Sequence, residues 1–257
     1  RSLVTSFSAI LIILCVIGFK TNRQVFLLSL FDFKMSTAMK GSLLLPMIFP
    51  LLSILGIHLM NNANNNTILI VLLLLIPTYV VFMVVKHQQV PDRSYPPMIF
   101  LIGISLLLLL ALRSSHLLGA DVHYEYFLFK ITSNSQHWQP FGKNPYGACL
   151  SISLLPAVYQ SLLSINPEYL FKILYPLLFS ISPLVVYIIC KKYVGNLYAF
   201  LASFFFMSQH IFLWTEFSAR TNIAILFFIL VVMILFHDGI HESAKRVLLI
   251  IFTISTI

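Results

Sequence analysis

Asp121, His123 and Glu125 stand at i, i+2 and i+4 within the run Gly119-Ala120-Asp121-Val122-His123-Tyr124-Glu125-Tyr126. On a helix this spacing puts both carboxylates on one face, and on a strand it aligns all three side chains. Such a group could do general-base chemistry. A free aspartate, with a pKa near ~3.9, is a feeble base, but apolar neighbours and a second carboxylate raise it toward useful values. His123 and Glu125 could orient an incoming hydroxyl or hold a divalent cation beside the base. Gly119 allows a sharp exit from the apolar Leu117-Leu118, which would keep Asp121 close to a membrane surface. A solvated acidic loop would have the same spacing, so the surroundings of these residues decide its meaning.

Arg220, close in sequence to Trp214 and Glu216, is the strongest candidate for binding a phosphate, because its guanidinium offers a fixed pair of donors. A snorkelling cation beside an interfacial aromatic belt is the alternative. Lys130, Lys143 and Lys172 add positive charge on the same side. His116, His137, Trp138 and Tyr146 could stack on a sugar face or anchor the interface, and anchoring is the default. His58 and His210 form no ligand pattern with their neighbours and read as structural. Cys15, Cys149 and Cys190 have neither metal nor redox spacing, and Cys15 and Cys190 read as small packing residues within spans.

The elements that must position these residues are membrane helices. The chain is 59% hydrophobic and 9% charged, with mean hydropathy +0.94, far from the roughly one-quarter charged content of soluble domains. Runs approaching the ~20 apolar residues of a span occur at Leu3–Phe19, Leu43–Met60, Thr67–Val85, Met98–Leu112, Tyr169–Cys190, Asn196–Trp214, Asn222–Phe236 and from Val247 onward. Unbroken Leu, Ile and Phe runs predict helices rather than barrel strands. The first residue is Arg1 and the last apolar run stops at Ile257, so we expect a piece of a longer polypeptide; no cleavable signal peptide is evident. No Asp, Glu, Lys or Arg falls near the middle of a predicted span, which disfavours a proton relay or ion-coupled transport.

A net charge of +8 in a soluble chain would point to nucleic acid, but here its distribution reports sidedness, and no nucleic-acid partner is expected. Lys20, Arg23, Lys34, Lys40, Lys86, Arg93, Lys191, Lys192, Lys245 and Arg246 fall on one side, and Arg1, Arg113, Lys130, Lys143, Lys172 and Arg220 on the other. The positive-inside rule then places the Asp121 loop on the non-cytoplasmic face of a multi-pass protein. The expected organisation is N-terminal spans over 1–112, an outer loop with the acid and interfacial helices over 113–168, and further spans over 169–257. Ala148–Ile165 is apolar, yet counting it as a crossing would turn Lys191-Lys192 outward. It is read as an interfacial helix interrupted by Pro156 and ending before the turn and helix start Asn166-Pro167-Glu168. Lys20–Lys40 suits another interfacial helix. Asn61–Asn66 is a polar connector whose Asn65-Asn66-Thr67 triplet is a weak acceptor motif, and Pro91, Pro96 and Pro97 discourage helix over Val90–Pro97.

Leu112-Arg113-Ser114-Ser115, the Gly119–Tyr126 run, Asn144-Pro145-Tyr146 and Ala219-Arg220-Thr221-Asn222-Ile223-Ala224 together resemble an uncharacterised archaeal family of polytopic membrane proteins. That family is similar to the C-type (GT-C) glycosyltransferases, among them protein mannosyltransferases, the aminoarabinose transferase and the catalytic subunit of oligosaccharyltransferase. The resemblance covers roughly Leu106–Phe236. It implies an all-α, GT-C-like transmembrane bundle that uses a polyisoprenyl-phosphate sugar donor, with an essential acid in an outer loop after a span, matched in position by Asp121. The outer amphipathic helices of the class would correspond to Tyr124–Ile131 and Ala148–Ile165. The chain departs from the class in having Asp-Val-His-Tyr-Glu where mannosyltransferases pair Asp with Glu, and in placing four spans before the loop.

The expected function is therefore an inverting membrane glycosyltransferase. Asp121 is the base; His123, Glu125, Lys130 and Arg220 bind substrate; a divalent cation is the candidate cofactor. The partners are a lipid-linked sugar donor and membrane lipids. The alternatives are a lipid-linked oligosaccharide transporter and a non-enzymatic assembly component.

Overall fold

The computed structural model describes residues 36–138, 145–214 and 218–256, and every regular element among them is helical. The α-helices are, in chain order, α1 (Thr37–Ala63), α2 (Thr67–Val85), α3 (Tyr95–Ala111), α4 (Ala120–Ser135), α5 (Pro145–Ala148), α6 (Leu150–Leu163), α7 (Pro167–Phe179), α8 (Ser182–Met207), α9 (His210–Trp214), α10 (Ala219–Phe236) and α11 (Glu242–Thr256), with 3-10 turns at His87–Gln89 and Asp92–Ser94 between α2 and α3. Five segments are long and apolar enough to cross a membrane: Thr37–Ala63, Thr67–Val85, Asp92–Ala111, Pro167–Met207 and Ala219–Phe236. The chain is thus a polytopic helical membrane protein. The expected span Leu3–Phe19, with Cys15, lies outside the described residues, as do Lys20–Lys34, Lys143 and Glu216.

The longest of these segments folds back on itself. Pro183 and Met207 both lie within 4 Å of the position a Cβ on Gly103 would occupy, whereas a straight helix would hold them about 36 Å apart. Tyr187 and Phe200 likewise both pack on the ring of Tyr95, at 6.5 and 5.2 Å between centroids. The reversal is at Gly195, whose φ of 79° and ψ of 176° fall in a region open in practice only to glycine. α8 is therefore two antiparallel arms around a Lys191-Lys192 tip. The expected boundary between Cys190 and Asn196 falls at this turn. Each arm continues through a short break, at Ser180-Ile181 into α7 and at Ser208-Gln209 into α9.

Two expectations from proline are corrected. α3 begins at Tyr95, three residues before Met98, with Pro96 and Pro97 in its first turn. Proline is tolerated there because the first N–H groups of a helix have no partner to lose. Pro156 does not interrupt the interfacial helix but is buried inside α6. Pro46, Pro50, Pro77 and Pro176 likewise lie inside helices. Pro46, Pro156 and Pro176 are buried, so packing by neighbouring helices offsets the backbone bond lost there.

With little hydrophobic drive between helices in lipid, association relies on close packing and interhelical hydrogen bonds. Ser53 Oγ, fully buried, donates to the Ser105 carbonyl at 2.9 Å, tying α1 to α3. Tyr79 Oη donates to the Ser42 carbonyl at 2.6 Å, tying α2 to α1. The first arm of α8, continuous with α7, and the arm leading into α9 both lie against α3, and α10 packs on α7, α8 and α11.

Substituting Gly195→Ala is expected to destabilise the bundle by about 1–3 kcal/mol, the cost of forcing a Cβ into that backbone region. Gly41→Ala, exposed in α1 with nothing within 4 Å of its Cβ, should be neutral or slightly stabilising. Denaturant unfolding in detergent micelles measures both.

Candidate functional site

The segment that carries Asp121 is built around α4. Its buried side comprises Val122, Glu125, Leu128, Phe129 and Thr132, a helical repeat that rules out the strand alternative for the Asp121 run. These residues pack against Ile152 of α6, Phe171 and Tyr175 of α7, and Ala219 and Ile223 of α10. Gly119 adopts φ 107° and ψ 151°, again a glycine conformation, and turns the chain into α4 directly after Leu117-Leu118.

Glu125 is the pivot of the segment. It has no solvent exposure, and both of its oxygens are engaged by the N-terminus of α10. Ser218 Oγ donates to Oε1 at 3.0 Å, the Ala219 N–H to Oε2 at 2.7 Å and the Arg220 N–H to Oε1 at 3.4 Å. Ser218 in turn accepts from the Thr221 N–H and hydroxyl, completing the N-cap of α10. A carboxylate there also meets the positive end of the helix dipole. Burial raises the Glu125 pKa above the usual carboxyl range, opposed by these donors and by the Arg220 charge. With both oxygens occupied, Glu125 has little capacity left for a substrate hydroxyl or an ion. The geometry makes it a positioning residue for Arg220.

Arg220 lies with its guanidinium carbon 4.1 Å from the ring centroid of Tyr146, and Tyr146 meets Tyr124 edge to face at 5.4 Å. The two phenols thus form a platform under the arginine, a cation–π arrangement that fixes the guanidinium plane. Among the described residues no carboxylate lies in ion-pair range of Arg220.

Asp121 is exposed in the first turn of α4, one turn before Glu125, and makes no hydrogen bond or ion pair among the described residues. Its neighbours Leu118 and Val122 line a small cleft of about 20 Å³ that also includes Lys172, Tyr175, Ala219 and Asn222, room for roughly one water. His123 is exposed and likewise without a polar contact among the described residues. Lys130 rests over the ring of Tyr126 at 4.6 Å, about 13 Å along the helix axis from Asp121. The structure therefore brings together Glu125, Arg220 and the Tyr124–Tyr146 platform, puts Asp121 beside the cleft, and leaves Lys130 and His123 apart. No group of three or more His, Cys, Asp or Glu side chains suited to a metal occurs among the described residues.

Two further polar residues line the cleft. Lys172, read only as diffuse charge, is 4% exposed, and its ammonium donates to the Ser114 carbonyl. Asn222, 1% exposed, has an Oδ1 without a partner. The available signal was positional, since each lies within the first two turns of its helix, where a polar residue faces either water or a neighbouring helix.

No family model, curated protein or solved structure matches the chain.

Replacing Glu125 by Ala is expected to cost about 2–4 kcal/mol, because buried donors lose their acceptor. Glu125 also sets a pH dependence. Its folded pKa lies above the unfolded value, so between the two the folded state holds more protons and stability falls as pH rises through that window. Thermal unfolding of wild type and Glu125→Gln, from below the normal carboxyl pKa upward, should show this slope only in the wild type.

Proposed function

We propose that the chain is part of a membrane glycosyltransferase that moves a sugar from a polyisoprenyl-phosphate donor to an acceptor hydroxyl at the non-cytoplasmic surface, with inversion. The supporting observation is the union of an interfacial helix and a span: buried Glu125 fastens α4 to the N-terminus of α10, so Asp121 and Arg220 are carried on one rigid joint beside a cleft containing Lys172. Asp121 removes the proton of the acceptor hydroxyl as its oxygen attacks the anomeric carbon. The bond from that carbon to the phosphate oxygen breaks, and the phosphate leaves with the electron pair, so no general acid is required. Arg220, oriented by Tyr146, opposes the charge growing on the phosphate. Lys172 adds positive potential from within the cleft. The sidedness rests on the basic residues, of which Lys86, Arg93, Lys191, Lys192, Lys245 and Arg246 fall at the other end of the spans.

One observation favours a second reading, a non-enzymatic lipid-binding or transport component: Asp121 is exposed and makes no polar contact among the described residues. Kinetics separates the two. In membranes supplied with polyisoprenyl-phosphate sugars, Asp121→Asn should lower transfer by about 100-fold or more, the usual contribution of a general base, with little change in donor binding. Retention of full transferase activity by this variant would remove Asp121 as the base, and absence of any transfer by the wild type across a panel of such donors would favour the second reading.

A further inference from the structure

At the end of the bundle opposite Asp121, the first arm of α8 and the C-terminal half of α10 border a groove of about 410 Å³. Its lining combines Ile188, Ile189, Met233 and Phe236 with Lys191, Lys192, His237 and Asp238. Lys192 Nζ donates to the Phe236 carbonyl at 2.9 Å and to the Asp238 carboxylate, and Lys245 Nζ donates to the Leu235 carbonyl at 3.3 Å. Both ammonium groups thus sit on the negative end of α10. Lys191 leans on the Tyr187 ring at 5.9 Å.

Asp238 is the acid that answers these three lysines. The Lys192 hydrogen bond, aided by the charges of Lys245 and His237, holds its carboxyl below the ordinary range. Among the described residues Lys191 and Lys245 have no carboxylate in ion-pair range. The groove therefore joins apolar walls to a surplus of positive charge. It lies where the spans end and where Tyr193 and Phe236 are half exposed, the position of an interfacial aromatic belt. A free inorganic anion would leave the apolar walls unmatched, and an uncharged lipid would leave the lysines unmatched. An amphiphile with an anionic head matches both.

We propose that the groove between α8 and α10 binds an anionic phospholipid, its phosphate held by Lys191 at the groove, with Lys245 adding positive charge from the adjoining C-terminus of α10, and its first acyl carbons lying on Ile188, Ile189 and Met233. This is independent of any transferase activity at the other end.

The test uses the purified chain in phosphatidylcholine nanodiscs containing a minor fraction of phosphatidylglycerol, with retained lipid counted by native mass spectrometry. Wild type should retain phosphatidylglycerol preferentially, and K191Q/K245Q should lower that preference about tenfold or more, the effect of losing two surface lysines. K86Q/R93Q, at the same end but outside the groove, should leave it unchanged. Equal retention by wild type and K191Q/K245Q, or an equal loss in K86Q/R93Q, would overturn the site in favour of diffuse surface charge. Should K191Q/K245Q fail to fold, M233W decides the matter by filling the groove without altering charge: lost preference supports the site and retained preference overturns it.

Discussion

A carboxylate sealed from water needs either a proton or a full set of donors. Glu125 has the donors, and they come from a different helix. Ser218 and the first two N–H groups of α10 converge on it, so a helix outside the membrane-spanning set is fixed in register to one that is long and apolar enough to cross. Everything distinctive about this end of the bundle follows from that contact. Arg220 is placed because its own N–H is part of the joint, Tyr146 is met by its guanidinium, and Asp121 stands one turn back along α4. The aromatic packing beneath, with Phe171 against Tyr126, Phe129 and Tyr175, keeps water away from the joint.

The two carboxylates of the Asp-Val-His-Tyr-Glu run consequently have different environments, although spacing makes them look equivalent. One is consumed in holding the architecture and the other remains open to solvent beside the cleft. In the proposed reaction this division is useful. A base must be reachable by the acceptor, whereas the group that aligns the arginine works best when nothing can displace it. The cleft itself is small, so in the proposed reaction most of the donor would lie along the lipid-facing surface rather than inside the protein.

Much of the fold was legible because long apolar runs have few alternatives in composition as lipophilic as this. The positions of α2, α10 and the α8 turn followed from hydropathy and from the Lys191-Lys192 pair. Proline was the main source of error. Its cost in an isolated helix was applied to Pro96, Pro97 and Pro156, where first-turn placement or tertiary packing removes most of it. At the site, the i, i+4 relation of Asp121 and Glu125 was readable, but which of them is buried was not, since that depends on α10, some 95 residues later. Lys172 and Asn222 were hidden for the same reason: nothing local distinguishes a buried polar side chain from a solvated one.

The glycine reversal within α8 bears on how the protein enters the bilayer. Its Lys191-Lys192 tip is expensive to carry across the membrane. Dragging two lysines through hydrocarbon would cost about 5–7 kcal/mol on an insertion scale. A turn that returns the chain within a few residues of Lys191-Lys192 leaves both lysines on the face where the first arm ends and avoids that barrier. Gly195 would then govern the route of biogenesis as well as the final shape.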